Sequence, residues 1–377
     1  MKIALLTHSV NPRGGVVHTL ELARALHDAG HAVTVFAPAA PGQRLFRPVP
    51  FAVELVPVPP APKDMVAMVA GRIEATVRHI AALPGRDHFD VWHAQDSISG
   101  NALADLSEAA LIDGFVRTVH HLDHFDEPPL MRWQQRAFAA ARQVLCVSPL
   151  WCRTLAAEHG ITAALVNNGV DLQRYRPQPQ PGDAAVAAQH GLRPGAPLWL
   201  AVGGVEERKN TLRLFQAFVQ HRRTYPQAQL VIVGGASLLN HDAYQAAFSA
   251  AVAGSDAASA VRLTGPVPDA EMPALFRQAD GLLMPSLREG FGLAVLEALA
   301  SATPVVVSRQ APFTEYLGEA DAGVHWADPL DSASIAAAMQ RALQQRFTQV
   351  PAVCHRYSWP ASAARHLALY ERQPAAA

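Results

Sequence analysis

A stretch rich in proline, glutamine and asparagine, NNGVDLQRYRPQPQPG at residues 167–182, divides the chain into two blocks of similar character. Such a composition reads as a linker. On each side of it, short apolar runs alternate with helical patterns. Before the linker, Ile3–Thr7, Val33–Ala37, Val53–Val56, Val91–His93, Phe115–Val119 and Val144–Val147 read as strands. Val16–Ala29 reads as a helix stopped by Gly30, and Asp64–Leu83 as a helix capped by Asp64. After the linker the strands are Leu198–Val202, Leu230–Val233, Val261–Leu263, Leu282–Met284 and Val305–Val307. The helices there are Thr211–Arg223, Tyr244–Ala253, Gly292–Ala300 and Ser332–Gln344. Continuously apolar strands are buried on both faces, as in parallel sheets, and strand–helix alternation predicts doubly wound α/β units. Ligands of such sheets bind outside the carboxyl ends of the strands. Two sheets facing each other would make an interdomain cleft.

Composition narrows the function classes. A formal net charge of −1 over 377 residues gives no footprint of a general nucleic-acid binder. The cysteines Cys146, Cys152 and Cys354 form neither a disulfide framework nor a metal spacing, which predicts a reducing, cytoplasmic setting. The opening MKIALLTHSVNPRGG has too short an apolar run for a signal peptide, and no run of about 18 apolar residues predicts a membrane span. Lys63–Arg86 has Met65, Met68, Val69, Ile73, Val77 and Ile80 beside Lys63, Arg72, Arg78 and Arg86. That pattern fits a domain-packing helix or an interfacial helix that reaches a lipid.

The loops after the strands carry the candidate chemistry. In REGFGLAVLEA (288–298), Glu289 and Glu297 stand eight residues apart around a good helix former. Eight residues at the helical rise span roughly 12 Å, beyond the roughly 5 to 9.5 Å of a glycosidase carboxylate pair. The two carboxylates therefore suit different parts of one long ligand. With Gly290 and Gly292 in the expected first turn, the helix N-terminus between them is a candidate phosphate cradle. GGVEERKN (203–210) offers Arg208 and Lys209 to an anion, or a solvated charge cluster. NPRGGVVH places Gly14 and Gly15 at a helix start, as a phosphate loop or a simple turn. HHLDHFDE (120–127) is a metal candidate or a polar active-site loop, without a typical zinc spacing.

Taken together, these motifs resemble the retaining glycosyltransferase family 4 of GT-B fold. EGFGLAVLE (289–297) is similar to the family's E-x₇-E signature, within ADGLLMPSLREGFGLAVLEALASATPVVVS (279–308). NNGVDLQRYRP (167–177), WHAQD (92–96), TVHHLDHF, GGVEERKNTLRLFQAF and YSWPASAARHLALYE (357–371) resemble further family segments in order. The resemblance implies two Rossmann-like domains facing a cleft, 1–176 with a returning C-terminal helix 358–377 on the acceptor side and 183–357 on the nucleotide-sugar side. It implies a hexosyltransferase-like, retaining, metal-independent enzyme with no cofactor. The donor would be a nucleotide-diphosphate sugar, UDP- or GDP-linked, and the acceptor a small molecule, glycan or lipid, with peripheral membrane contact as one route to the last. Glu297 would hold the ribose. The amides of Gly290, Phe291, Gly292 and Leu293 would hold the phosphates, beside Gly203 and Gly265. Glu289 would contact the donor sugar, Arg208 and Lys209 would neutralise the leaving diphosphate, and His120 would approach the sugar. Gly15, in the loop with Gly14, would admit phosphate and acceptor. The chain departs from the family pattern at Gly204, where many members place arginine, and at Gln95, often histidine. An epimerase on the same fold and a non-catalytic nucleotide-sugar binder are the competing readings.

Overall fold

The computed structural model describes residues 1–371 except 194, 236–238, 240 and 346. The last residues of the expected C-terminal helix, 372–377, lie outside the described residues. The chain forms two units, Met1–Asn168 with Trp359–Ala377, and Gly169–Ser358.

The first unit runs β1 (Lys2–Leu6), α1 (Gly14–Asp28), β2 (Ala32–Ala39), β3 (Ala52–Pro57), α2 (Met65–Ala81), β4 (Val91–Ala94), α3 (Ser97–Glu108) and β5 (Val116–Val119). It continues with α4 (Pro128–Ala139), β6 (Gln143–Cys146), α5 (Pro149–His159) and β7 (Ala163–Leu165). Its seven strands are parallel in the order β3-β2-β1-β4-β5-β6-β7. Helix ends follow local chemistry. The Asp64 carboxylate accepts from the Ala67 amide at 2.8 Å to start α2. Asp96 and Ser99 form a reciprocal capping box on α3. Proline opens α4 and α5, where a missing N–H costs nothing. The apolar side of α2 packs inward: Ile73 meets Ile98 and Ala102, and Ile80 joins Trp92 and Phe115. Of the two uses open to that helix, packing is the one its core residues serve.

The second unit runs α6 (Asp183–Gln189), β8 (Leu198–Val202), α7 (Thr211–Arg222), β9 (Gln229–Val233), α8 (Asp242–Ala253), β10 (Val261–Gly265), α9 (Met272–Gln278) and β11 (Gly281–Met284). It continues with α10 (Leu293–Ala300), β12 (Val305–Ser308), α11 (Phe313–Tyr316), β13 (Val324–Ala327), α12 (Ser332–Gln344) and α13 (Ala352–Arg356). The strands are parallel in the order β10-β9-β8-β11-β12-β13. The chain then returns to the first unit as α14 (Trp359–Tyr370), which packs on α1. Both sheets have the dinucleotide-fold strand order. Each therefore has a switch point where successive connections leave in opposite directions: between β1 and β4, and between β8 and β11. Among the described residues no helix is long and apolar enough to cross a membrane.

The first boundary differs from the expected 176. Residues 169–176 belong to the second unit because they are tied to it. Tyr175 is buried against Phe276, at 5.9 Å between ring centroids. Arg174 pairs with Asp269 at 2.8 Å, and Arg277 grips Asp183 through two hydrogen bonds of 2.6 and 2.7 Å. The proline-rich stretch is thus bound along most of its length.

Core packing in the second unit leaves no room at Gly281. A Cβ there would lie 2.4 Å from Trp199 Cζ3, and Trp199 is fully buried with His221 edge-on at 5.2 Å. Overpacking a core costs about 1–3 kcal/mol. Gly281→Ala is expected to lower the urea midpoint accordingly, and an unchanged midpoint would show that Trp199 can move aside.

Candidate functional site

In the second unit the site grows from the loops after β8 and β11, at the switch point. The chain leaves β8 through Gly203 and Gly204, both at positive φ (121° and 76°). Their amides both donate to the Val233 carbonyl, at 2.8 and 3.2 Å. Gly203 therefore offers the site close approach and not a free N–H: a Cβ there would lie 2.7 Å from Lys209 Cε. A single 3₁₀ turn, Glu207–Lys209, then brings Arg208 and Lys209 onto one carboxylate. Lys209 Nζ pairs with Glu289 Oε1, and Arg208 Nη1 lies 3.7 Å from the same oxygen. Adjacent residues on a regular element would point apart; the tight turn brings them together.

Asn210 is the N-cap residue of α7, but its side chain makes no capping hydrogen bond. It adopts a left-handed conformation (φ 59°), and its amide donates to Pro285 O at 3.0 Å and Pro329 O at 2.6 Å. The side chain is used as a clasp between loops. The Arg208 carbonyl accepts from Leu287 N at 2.8 Å, and Gln310 Nε2 donates to Ser286 O and Leu287 O at 3.0 and 2.8 Å. Ser308 Oγ donates to Ser286 O at 2.6 Å. These contacts fix the segment carrying Glu289, whose Oε1 also lies 3.4 Å from Ser286 Oγ.

Glu206, Asn210, Ser286, Ser308 and Gln310 are the supporting residues that motif reading missed. Glu206 is 1% exposed and takes Arg208 Nε at 2.8 Å. A glutamate beside an arginine and a lysine in a polar loop gives no signal of burial.

The glycines of the candidate phosphate cradle stand just before the helix and not in its first turn. α10 begins at Leu293, so Gly290 and Gly292 precede the helix, with Gly292 as its N-cap at φ 92° and ψ 59°. That left-handed value suits glycine alone at low cost, and a Cβ would strike Phe313 Cε1 at 2.7 Å. The Phe291 side chain is withdrawn into an aromatic stack, 4.4 Å from Tyr316 at an interplanar angle of 8°. Backbone amides at the helix start lack intrahelical acceptors, so this segment is a candidate anion site. Glu297 is the fifth residue of α10, about one turn in, and it is near enough to Arg174 for their charges to interact. Gly265 ends β10 at φ 67°, its carbonyl accepting from Gly234 N at 2.9 Å; it stands at the same carboxyl edge of the sheet.

In the first unit the switch point gathers Gly14, Gly15, Gln95 and His120. Gly14 and Gly15 are the first residues of α1, and a Cβ on Gly15 would lie 3.7 Å from His120 Cδ2. His120 Nε2 lies 3.1 Å from Gln95 Oε1. Burial, then the surrounding His18, Arg117, His121 and His93, hold its pKa well below the usual histidine range, so the ring is neutral. Its loop neighbour His121 pairs instead with Asp123 at 3.1 Å. The HHLDHFDE residues are thus dispersed, and among the described residues no three histidine, cysteine or acidic side chains converge as a metal site.

Known proteins share this chain's organisation. Residues 12–174 match the family model described as Glycosyltransferase Family 4, and residues 184–358 the model described as Glycosyl transferases group 1. A phosphatidyl-myo-inositol mannosyltransferase of Mycolicibacterium smegmatis is 28% identical over 98% of this chain and 94% of its own length. A D-inositol 3-phosphate glycosyltransferase of Kineococcus radiotolerans is 28% identical over 66% of this chain; the match spans 59% of that relative. Among solved structures, a sucrose-phosphate synthase from Thermosynechococcus elongatus superposes with a TM-score of 0.78 at 21% identity, covering 98% of each chain. Anabaena HepE in complex with UDP and glucose gives a TM-score of 0.77 at 18% identity, covering 99% of this chain and 100% of the other.

Proposed function

The chain belongs to glycosyltransferase family 4, and from that premise we propose that it moves a sugar from a nucleotide-diphosphate donor to a hydroxyl of an inositol-type acceptor, with retained configuration and without an essential metal. One observation carries the reading: Lys209 and Arg208 converge on Glu289 directly before the amide-bearing start of α10. A diphosphate seated on those amides would meet both cations, which stabilise charge as it develops on the leaving group. They do the neutralising that a divalent ion does in other transferases. Glu289, which holds Lys209, would contact the donor sugar, and Glu297 would hold the ribose hydroxyls. Within the first unit, His120 and the Gly14–Gly15 loop are the candidate groups of the acceptor side. A UDP- or GDP-sugar is the proposed donor; the inositol-type acceptor follows what the two relatives act on.

Nucleotide binding gives the direct test. A hydrogen bond to a charged carboxylate contributes about 1.5–3 kcal/mol, so Glu297→Ala is expected to raise Kd for UDP or GDP roughly tenfold to hundredfold. The thermal stability of the free protein should change little. Equal affinity by calorimetry would remove Glu297 from the site.

A further inference from the structure

The first unit holds a histidine cluster in which fully buried His18, His93 and His366 surround the half-buried His120. His18 of α1, His93 of β4, His120 and His366 of α14 lie ring to ring, with centroids 4.5 Å apart for His18–His120, 6.1 Å for His18–His366 and 5.7 Å for His93–His366. Gln95 is 2% exposed and links two of them. Its Nε2 lies 3.2 and 3.4 Å from the two nitrogens of His93. Such similar distances put the amide N–H over the face of the imidazole, an N–H···π contact. Turning the amide over would set its oxygen against the electron-rich face, so Oε1 belongs where it is, on His120 Nε2. An amide oxygen only accepts; Nε2 of His120 must carry the proton. His93 cannot turn away, because the Tyr370 hydroxyl holds its Nδ1 at 2.6 Å and the Thr118 hydroxyl its Nε2 at 2.7 Å.

We propose that Gln95 is a positioning residue that fixes His120 as the Nε2–H tautomer, leaving Nδ1 as an acceptor for a substrate hydroxyl, and that Tyr370 of α14 holds Gln95 in place through His93. The role toward a hydroxyl rests on the glycosyl-transfer reading; the tautomer does not. It also gives the departure from histidine at position 95 a physical meaning. Toward His120 a histidine there could donate or accept, whereas the held amide presents only its accepting oxygen. The groups facing His120 are His18 from α1, His93 from β4, Arg117 from β5 and His121 from its own loop. Asp96 faces His8 and Arg117. None of the charged groups facing His120 favours its protonation, so it stays neutral through the physiological range.

Imidazole ¹⁵N spectra of the full chain test this, with His120 identified by its loss in His120→Asn. Wild type should show a protonated Nε2 and an unprotonated Nδ1, unchanged from pH 8 to pH 6. Gln95→Leu should populate both tautomers. Gln95→Glu should restore the Nε2–H form and raise the His120 pKa toward neutrality, while Tyr370→Phe should loosen the preference partly. With sugar transfer measurable, Gln95→Leu should lose roughly two- to tenfold in kcat, the range for one orienting hydrogen bond. Gln95→Glu should recover it above neutral pH, with a new acid limb in its pH profile. A protonated Nδ1 in wild type, or a Gln95→Leu spectrum identical to wild type, would overturn the proposal. The wild-type spectrum alone decides if Gln95→Leu fails to fold. Absence of any transfer would count against the function and leave the spectra to judge the tautomer.

Discussion

Lys209→Ala is expected to lower kcat by roughly a hundredfold or more at saturating donor, the scale of losing a key electrostatic donor, with a smaller effect on KM. The Lys209 side chain is 14% exposed, and its ammonium is held by Glu289 and by Met284 Sδ at 3.8 Å, with the stem in the space that Gly203 leaves. A charge so fixed acts more strongly on the developing diphosphate than on the bound ground state. Arg208→Ala should have the same sign and a smaller size. Arg208 shares its charge with buried Glu206 at 2.8 Å and reaches Glu289 only at 3.7 Å. An arginine at position 204 is not expected to rescue Lys209→Ala, because Gly204 sits at φ 76°, where a side chain is strained. Steady-state kinetics decide the point: near-normal kcat in Lys209→Ala would make the lysine a structural partner of Glu289 alone.

Acidification from pH 7 to pH 5 is expected to destabilise the first unit steeply. His18 and His366 are fully buried, and burial depresses their pKa values to about 3 and about 4. Burial also lowers His93, and His120 moves the same way. Their unfolded values lie near 6.5. Below that pH the unfolded chain takes up protons that the folded chain refuses, so stability falls with pH. Between pH 6.5 and pH 5, His18 and His366 together cost about 3 kcal/mol, each approaching about 1.4 kcal/mol per pH unit once the unfolded imidazole is fully protonated. That is a large part of an ordinary domain's stability. Denaturant midpoints measured across this range should fall. A flat profile would mean that these rings take up protons without leaving their places.

Strand–helix alternation was legible because buried parallel strands are uniformly apolar: Leu198–Val202 and the helix Ser332–Gln344 lie where the pattern puts them. β7 went unread because it has only three residues, Ala163–Leu165, at a sheet edge. β13 went unread because VHWA interrupts the apolar run, although all four residues are buried. At the site, Glu289, Arg208 and Lys209 could be named from motifs, but their convergence depends on the turn at Glu207–Lys209 and on the Asn210 clasp. Asn210 before a helix reads as a cap; only the approach of Pro285 and Pro329 gives its amide better partners. The histidine cluster was hidden by distance. His18 and His366 are brought together only when α14 returns onto α1, and no local pattern separates a buried histidine from a solvated one.

Sugar transfer is tested by nucleotide release from UDP- and GDP-sugars with and without inositol or inositol 3-phosphate, with the anomeric configuration of any product read by NMR. Release is expected to depend on the acceptor, to survive EDTA and to yield a product with the donor's configuration. Release that is indifferent to any acceptor, or a product of inverted configuration, would contradict retaining transfer.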